Sequence, residues 1–521
     1  MIIKSKLDEI QSFLSDSSHM REGFADRVVF PESAEEVAEF LAGATRERTP
    51  ITISGAGTGT VGARIPFAGN VLATDRLNKI KSIDRYDHGG GSAVAEPGVV
   101  LGDFQRFVQA EGLLYPPDPT ERGCFLGGTV ATNASGARTF KYGPTRNYIR
   151  RLKIALATGD VIDLRRGELY ADADGGISIP LPGGRLIEAK LPSVKMPRTR
   201  KHAAGYYIEP KMDVLDLFIG SEGTLGVVVE IETSLLPRPE RLFSGVVFFS
   251  DEANLLACVK ELRACSLRTR EEQQRISQLT PSFDRHCGNS DTDRPDSSGI
   301  DARALEYFDV ESLRFLRTRY TLIPAAATGA IFFEQETTEQ TEGDLLEAWS
   351  TLLQAHNALD DNSWFATNEA DHQKLVEFRH QLPVLMNEWF ARHNQRKVST
   401  DMAVPDEAFP RLLQFYRDTL GSSDLRYAIF GHIGDNHVHT NILPRNDDEA
   451  AKAREIYLQF VKQALQLGGT ISAEHGIGKL KRQYLAMLYN EEQLREMAAL
   501  KRAFDPACIL GRGNIFPEEY L

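Results

Sequence analysis

The chain has 521 residues, enough for two to four domains at roughly 100–200 residues each, with 42% hydrophobic and 26% charged residues, as in ordinary globular proteins. Those values exclude a disulfide-stapled miniprotein and a wholly disordered chain. The net charge of −13 leaves no basic excess to neutralise phosphates, which excludes nucleic acid as the expected partner.

Residues 1–20 carry Lys4, Lys6, Asp8, Glu9 and Asp16, lack an apolar core of signal-peptide length, and predict a short leading helix. No run approaches the roughly 18 apolar residues of a membrane span, so no transmembrane segment is expected and any membrane role is peripheral. Over 31–46, Val37, Phe40 and Leu41 recur at helical spacing behind Pro31 and Ser33. A strand at 50–54 then runs into Gly55-Ala56-Gly57-Thr58-Gly59-Thr60-Val61-Gly62. β-type segments at 70–74, 93–96, 149–157 and 217–233 make the first 240 residues α+β, and Pro237-Arg238-Pro239 predicts a boundary. Beyond it, a helix at 252–267 precedes a polar loop at 287–299. Strands at 302–308 and 329–334 alternate with helices at 342–355 and 371–385, predicting an α/β lobe suited to substrate. Helices at 447–467 and 491–504 bracket 468–480. The five cysteines, Cys124, Cys258, Cys265, Cys287 and Cys508, form no C-x-x-C pair and predict reduced thiols in a cytoplasmic protein.

Residues 57–62 satisfy G-x-G-x-x-G, but Pro66, Gly69 and Asn70 interrupt the helix that a Rossmann turn requires. What remains is an anion-binding nest of backbone donors, with a merely tight turn as the plain alternative. A second loop, 115–120, holds three prolines and leads into the small residues of 127–137; a third, 219–226, precedes a β-type run. Three such loops within about 170 residues point to one large ligand across a lobe.

Twelve histidines would place about 0.2 in any window of eight, yet His432, His437 and His439 share one. A strand at 427–430, a turn at 431–436 and alternation over 437–441 put His437, His439 and Asn441 on one strand face, with His432 across the turn. Glu474-His475 adds a carboxylate and another imidazole among glycines. Two imidazoles and a carboxylate suit Zn²⁺ or a similar divalent ion with positions left open, while hydrogen-bonded hairpin histidines are the alternative.

The strings GAGTGTVG (55–62), EPGV (96–99), PPDPT (116–120), GGTVATNASG (127–136), KYGPTRNYI (141–149), GSEGTLG (220–226), GHIGDNHVHTN (431–441) and SAEHGIG (472–478) carry a resemblance. From about 31 to 516 the chain resembles flavoproteins of the vanillyl-alcohol oxidase/PCMH type, and within them the FAD-linked D-2-hydroxyacid dehydrogenases acting on D-lactate, glycolate or D-2-hydroxyglutarate. The resemblance implies a PCMH-type FAD-binding lobe of two α+β subdomains at 21–239, a substrate lobe at 240–470, and a C-terminal segment, 471–521, returning to the FAD lobe. It implies cofactor contacts at Gly55, Ala56, Gly57, Thr58, Gly59, Thr60, Pro117, Asp118, Gly128, Thr129, Thr132, Asn133, Gly136, Glu222, Gly223, Val228 and Asn514. No histidine lies in 55–62, so the FAD is expected to be non-covalent. His432, His439 and Glu474 are implied as metal ligands, Asn441 as a substrate or metal contact, His475 as base, and Arg379 as the clamp for a carboxylate.

Three departures accompany it. Asn436-His437 stands where Gly-Asn is usual, which leaves His437 as an extra ligand or, the favoured reading, a solvent-facing hairpin residue. Gly511-Arg512 stands where Asn-Pro is common, and Pro383 and Ser399 stand where the D-2-hydroxyglutarate enzymes carry Thr and Lys. The expected reaction is FAD-dependent, metal-assisted oxidation of a small anionic D-2-hydroxy acid to the 2-oxo acid. The alternatives are an alkyl-dihydroxyacetonephosphate synthase-like flavoenzyme, which carries a run of histidines where this chain has 472–475, and a non-redox metal-binding protein. The electron acceptor (quinone, cytochrome or electron-transferring flavoprotein) and a homodimer stay open.

Overall fold

A computed structural model describes the chain except for His88 and 280–298, and except for the side chains of Pro182 and 276–279. Three sheets organise it, together with a small hairpin of Gly176–Pro180 on Leu186–Lys190. The first sheet orders Ile2–Lys4, Arg27–Phe30, Asn70–Ala73 and Ile51–Ser54, the last three parallel. Parallel neighbours need a crossover, which the helix Ala34–Glu47 supplies. Ser33 caps it by accepting from the Glu36 amide, and Val37, Leu41 and Ala44 are buried along one stripe. The glycine-rich loop leaves the C-terminal end of Ile51–Ser54, so the sheet holds the loop's entry fixed.

The second sheet is antiparallel: Ile80–Arg85, Gly91–Ala95, Val227–Pro237, Ile149–Ala155 and Val161–Arg165 in that order, with Leu113–Leu114 also paired to Val227–Pro237. The C-terminal segment lies against this first lobe. Ile51 bridges Leu510 in parallel, and the amides of Lys479 and Leu480 donate to the Val61 carbonyl.

The third sheet forms the second lobe. It is seven-stranded and antiparallel, in the order Trp364–Ala366, Arg241–Phe249, Gly329–Thr337, Ala302–Phe308, Arg426–Gly431, His439–Leu443, Val398–Ser399. Alternation along Arg241–Phe249 sends Phe243, Val247 and Phe249 into a core with Leu255 and Trp349, and Val246 and Phe248 into another with Phe378 and Leu382. The helices Glu252–Leu279 and Glu342–Ala355 thus cover one face and Glu369–His393 the other.

Several expectations are corrected. The leading segment is not one helix: Ile2–Lys4 joins the first sheet and only Leu7–Ile10 is α-helical, because Ile2 and Ile3 pair with Phe30 and Val29. The β-type run at 217–233 divides into the short helix Leu215–Phe218, a glycine-rich turn and the strand Val227–Pro237. The helix expected at 371–385 continues through Pro383 to His393. The polar loop at 287–299 lies, apart from Gly299, outside the described residues. Among the described residues no helix is long and apolar enough to cross a membrane, and the four described cysteines are free thiols.

One buried carboxyl gives this fold a pH signature. Asp309 caps the helix Val310–Leu316 by accepting from the Ser312 amide at 2.7 Å, and burial pushes its carboxyl from 3.8 to about 7. The folded chain therefore retains a proton that the unfolded chain releases between about 4 and 7, and stability falls as pH rises through that window. Asp309→Asn keeps a capping oxygen without the charge, so its Tm gains on the wild type as pH rises from about 5 to 8. An offset that is constant with pH in paired thermal melts contradicts this.

Candidate functional site

A cavity of about 390 Å³ lies between the lobes. Gly55, Ala56, Gly57, Thr58, Gly59, Thr60, Gly128, Thr129, Thr132, Gly136, Glu222, Gly223 and Val228 line it from the first lobe. Glu306, Arg379, His380, Pro383, His432 and His439 line it from the second, and Glu474 and His475 from the C-terminal segment. The glycines have a steric reason. Gly57 adopts φ +82°, and a Cβ built on Gly59 or Gly128 would meet no atom within 4 Å, so both positions leave open space at the cavity wall. Such a cradle of small residues and backbone amides fits a pyrophosphate-bearing cofactor.

Four implied cofactor contacts do not line the cavity. The Pro117 carbonyl accepts from Gln105, and the Asp118 carboxylate pairs with Arg122 and Arg138. Asn133, at φ +48°, accepts from the Arg146 amide. Asn514 donates to the Ala63 carbonyl at 3.0 Å and accepts from Lys479 at 2.7 Å, so it braces the segment just beyond the glycine-rich loop. Local sequence also missed Arg64. Its guanidinium donates to the Gly55 carbonyl at 2.7 Å and the Ser12 carbonyl at 2.6 Å, and it lines the cavity with Nε lacking a partner.

The histidines converge on one carboxylate. His432 donates Nδ1–H to Glu306 at 2.6 Å and His439 donates Nδ1–H to the Thr400 carbonyl at 2.9 Å. Both Nε2 atoms are thereby turned to Glu474 Oε2, at 3.3 and 3.6 Å. The other oxygen, Oε1, accepts from Ser135 at 2.8 Å and from Lys201 at 2.6 Å. Lys201 also meets Asp435 at 2.9 Å. One donor atom each from His432, His437, His439 and Glu474 lies within 4.8 Å of the others, which is metal-site spacing, and the Nδ1 partners are the kind that fix ligand tautomers.

The expectation for His437 is overturned in one respect: it does not face solvent. It is fully buried in the turn before the strand His439–Leu443, because that strand starts two residues later than the alternation suggested. Among the described residues neither of its ring nitrogens has a hydrogen-bond partner, and neither does the amide of Asn441, itself fully buried. Unpaired buried polar groups cost about 1–3 kcal/mol each, and His437 Nδ1 stands 4.0 Å from Glu474 Oε1, which fits a site completed by a bound group.

Arg379 is not a solvated helix residue. Its Nε donates to Glu306 at 3.2 Å and Nη1 to His380 at 2.9 Å, leaving Nη2 without a protein partner among the described residues. Burial opposes ionisation of Glu306, but the Arg379 and His432 charges hold its carboxyl down to about 2. Burial likewise opposes charge on Glu474, and His432 and Lys201 hold it well below the usual carboxylate range. His475 is 33% exposed, its Nδ1 is 3.4 Å from Asp401, and burial pushes its pKa down to about 3. The ring is therefore neutral near pH 7, with an unprotonated nitrogen. Asp401, fully buried, accepts from Lys481 at 2.6 Å, Ser472 at 2.7 Å and the His475 amide at 3.0 Å. Lys201, Glu306 and Asp401 carry no local signal in the sequence, and Ser135 stands in the 127–136 string without a role, since each gains its meaning only from distant partners.

The chain belongs to the FAD-linked oxidase family: it matches the FAD binding domain over residues 25–165 and the C-terminal domain of FAD linked oxidases over residues 277–515. It is therefore an FAD-linked oxidoreductase. It is 28% identical to the glycolate oxidase subunit GlcD of Bacillus subtilis, covering 97% of this chain and 92% of that protein. It is 28% identical to a D-lactate dehydrogenase of Anaerostipes hadrus, covering 93% and 88%. With the D-2-hydroxyglutarate dehydrogenase of Stutzerimonas stutzeri it shares 26% identity over 94% and 90%. Its fold is similar to that of an alkyldihydroxyacetonephosphate synthase, with a TM-score of 0.63, 15% identity, and 99% of this chain and 83% of that chain covered.

The Lys201 contacts generate a stability prediction. Lys201→Met leaves Glu474 and Asp435 buried and facing each other without their shared cation, which destabilises the protein by about 3–5 kcal/mol in urea unfolding. A loss below about 1 kcal/mol, the range of an exposed ion pair, contradicts this.

Proposed function

We propose that the chain oxidises a small anionic D-2-hydroxy acid, of the D-lactate, glycolate or D-2-hydroxyglutarate class, to the corresponding 2-oxo acid. The observation that carries the reading is that the glycine-rich cradle, Arg379, the histidine–Glu474 cluster and His475 all border one cavity. The names of the similar proteins, which act on glycolate, D-lactate and D-2-hydroxyglutarate, support the substrate class.

FAD held along the 55–60, 128–136 and 222–228 loops supplies the acceptor for the C2 hydride. A divalent ion, for which zinc suits the imidazole and carboxylate donors of His432, His439 and Glu474, supplies a Lewis acid that acidifies the substrate hydroxyl. The protein's own groups do the rest. The unpaired Nη2 of Arg379 binds the substrate carboxylate, and Glu306 keeps that guanidinium and the His432 ring in fixed orientations. His475 takes the hydroxyl proton as the C2 hydride departs, with Asp401 orienting its ring and the adjacent Lys481 and Ser472 orienting Asp401. Asn441, buried with both amide atoms unpaired, lies behind the cavity wall and serves as a polar contact for the bound ion. Pro383 at the cavity wall offers no hydrogen bond to a second carboxylate, which favours a monocarboxylate.

The test is anaerobic absorbance with D- and L-acids in parallel. Glycolate or a D-2-hydroxy acid bleaches the flavin band while the L-enantiomer does not. His475→Ala retains the bound flavin but bleaches about 10²–10⁴-fold more slowly. Equal bleaching by both enantiomers, or an unaffected His475→Ala, contradicts the assignment.

A further inference from the structure

The reading above uses two imidazoles and leaves His437 unused. We infer that His437 is a third imidazole ligand to the same ion, so that this chain presents a three-histidine, one-glutamate donor set; the inference rests on the metal reading of the site and deepens it. The side chain is fully buried, and a buried imidazole ordinarily satisfies at least one of its nitrogens within the protein. Here, among the described residues, both Nδ1 and Nε2 lack a hydrogen-bond partner.

The surroundings indicate what completes it. Nε2 stands 3.5 Å from Asp401 Oδ1 and Nδ1 stands 4.0 Å from Glu474 Oε1. Asp401 at 3.5 Å is a longer contact than the 2.6 Å hydrogen bond from His432 to Glu306, and an Nε2–H on that side leaves the Nδ1 lone pair on the Glu474 side. The ring packs 4.6 Å from His439 and 5.8 Å from His432 between centroids, so the third imidazole joins the cluster without displacing either. A neutral amide such as Asn at this position could reach the same space only with a weaker, harder oxygen donor. An imidazole raises affinity for zinc, cobalt or nickel relative to magnesium or manganese. Four protein donors still permit substrate to bind if the ion expands to five-coordination.

The experiment uses the full-length, FAD-loaded protein. Zinc affinity is measured by competition with a chromogenic chelator for the wild type, His437→Asn and His437→Ala, with flavin absorbance and circular dichroism reporting the fold. X-ray absorption on the zinc-loaded wild type counts imidazole ligands independently of any variant. The inference predicts three imidazoles around zinc and at least about tenfold weaker zinc binding by both variants. Two imidazoles in the wild type, or unchanged affinity in a folded His437→Asn, overturns the role of His437 and leaves the two-histidine site standing. A wild type that takes up no zinc overturns both readings.

Discussion

The carboxylate of Glu474 is the joint on which the rest of the site depends. One oxygen is held by Ser135 and Lys201 from the first lobe, and the other faces the Nε2 atoms of His432 and His439 from the second. A carboxylate this deeply buried is stable as an anion only because cations and donors surround it. The same pairing fixes how the lobes meet. Moving the second lobe by an ångström would break the histidine contacts on one side while the lysine and serine held the other.

Around that joint the charges alternate in a way that separates duties. Glu306 pairs with both Arg379 and His432, so a single carboxylate orients one guanidinium at the cavity wall and one imidazole of the cluster. Asp401 does the equivalent for His475 and the backbone of 474–475, and is itself neutralised by Lys481. In the other direction Glu222 accepts from the amides of Ile477 and Gly478, both at 2.7 Å, tying the glycine-rich segment after His475 to the loop that lines the cofactor cradle. The elements on the two sides of the cavity are thus linked through buried carboxylates rather than through apolar packing alone. Such groups are costly when unpaired, which makes the arrangement specific.

What could be read from the sequence followed from how local each feature is. The glycine-rich loops were legible because they are runs of several small residues in succession, and Gly55–Thr60 and Gly128 do stand at the cavity wall. The 342–355 helix was legible because its apolar stripe is continuous, and His432, His439 and Glu474-His475 because they cluster in short segments. Lys201, Ser135, Glu306 and Asp401 were illegible for the opposite reason. Each is an ordinary polar residue whose role comes from a partner 70 or more positions away, as Ser135 and Glu474 are 339 apart. His437 departs from the strand face that alternation over 437–441 implies because pairing with Arg426–Gly431 begins at His439 and leaves His437 inside the turn. The N-terminal segment was misjudged because Ile2 and Ile3 look unremarkable until Val28–Phe30 offers a strand edge.

The central claim is that the histidine–Glu474 cluster and the flavin cradle serve one substrate. It is tested most directly by the rate of anaerobic flavin bleaching by D-lactate or glycolate before and after divalent ions are stripped from the FAD-loaded protein. The account predicts that stripping leaves the flavin bound, slows bleaching by about 10²-fold or more, and that added zinc restores it. A stripped protein that bleaches at the original rate would contradict the claim that the two sites act together.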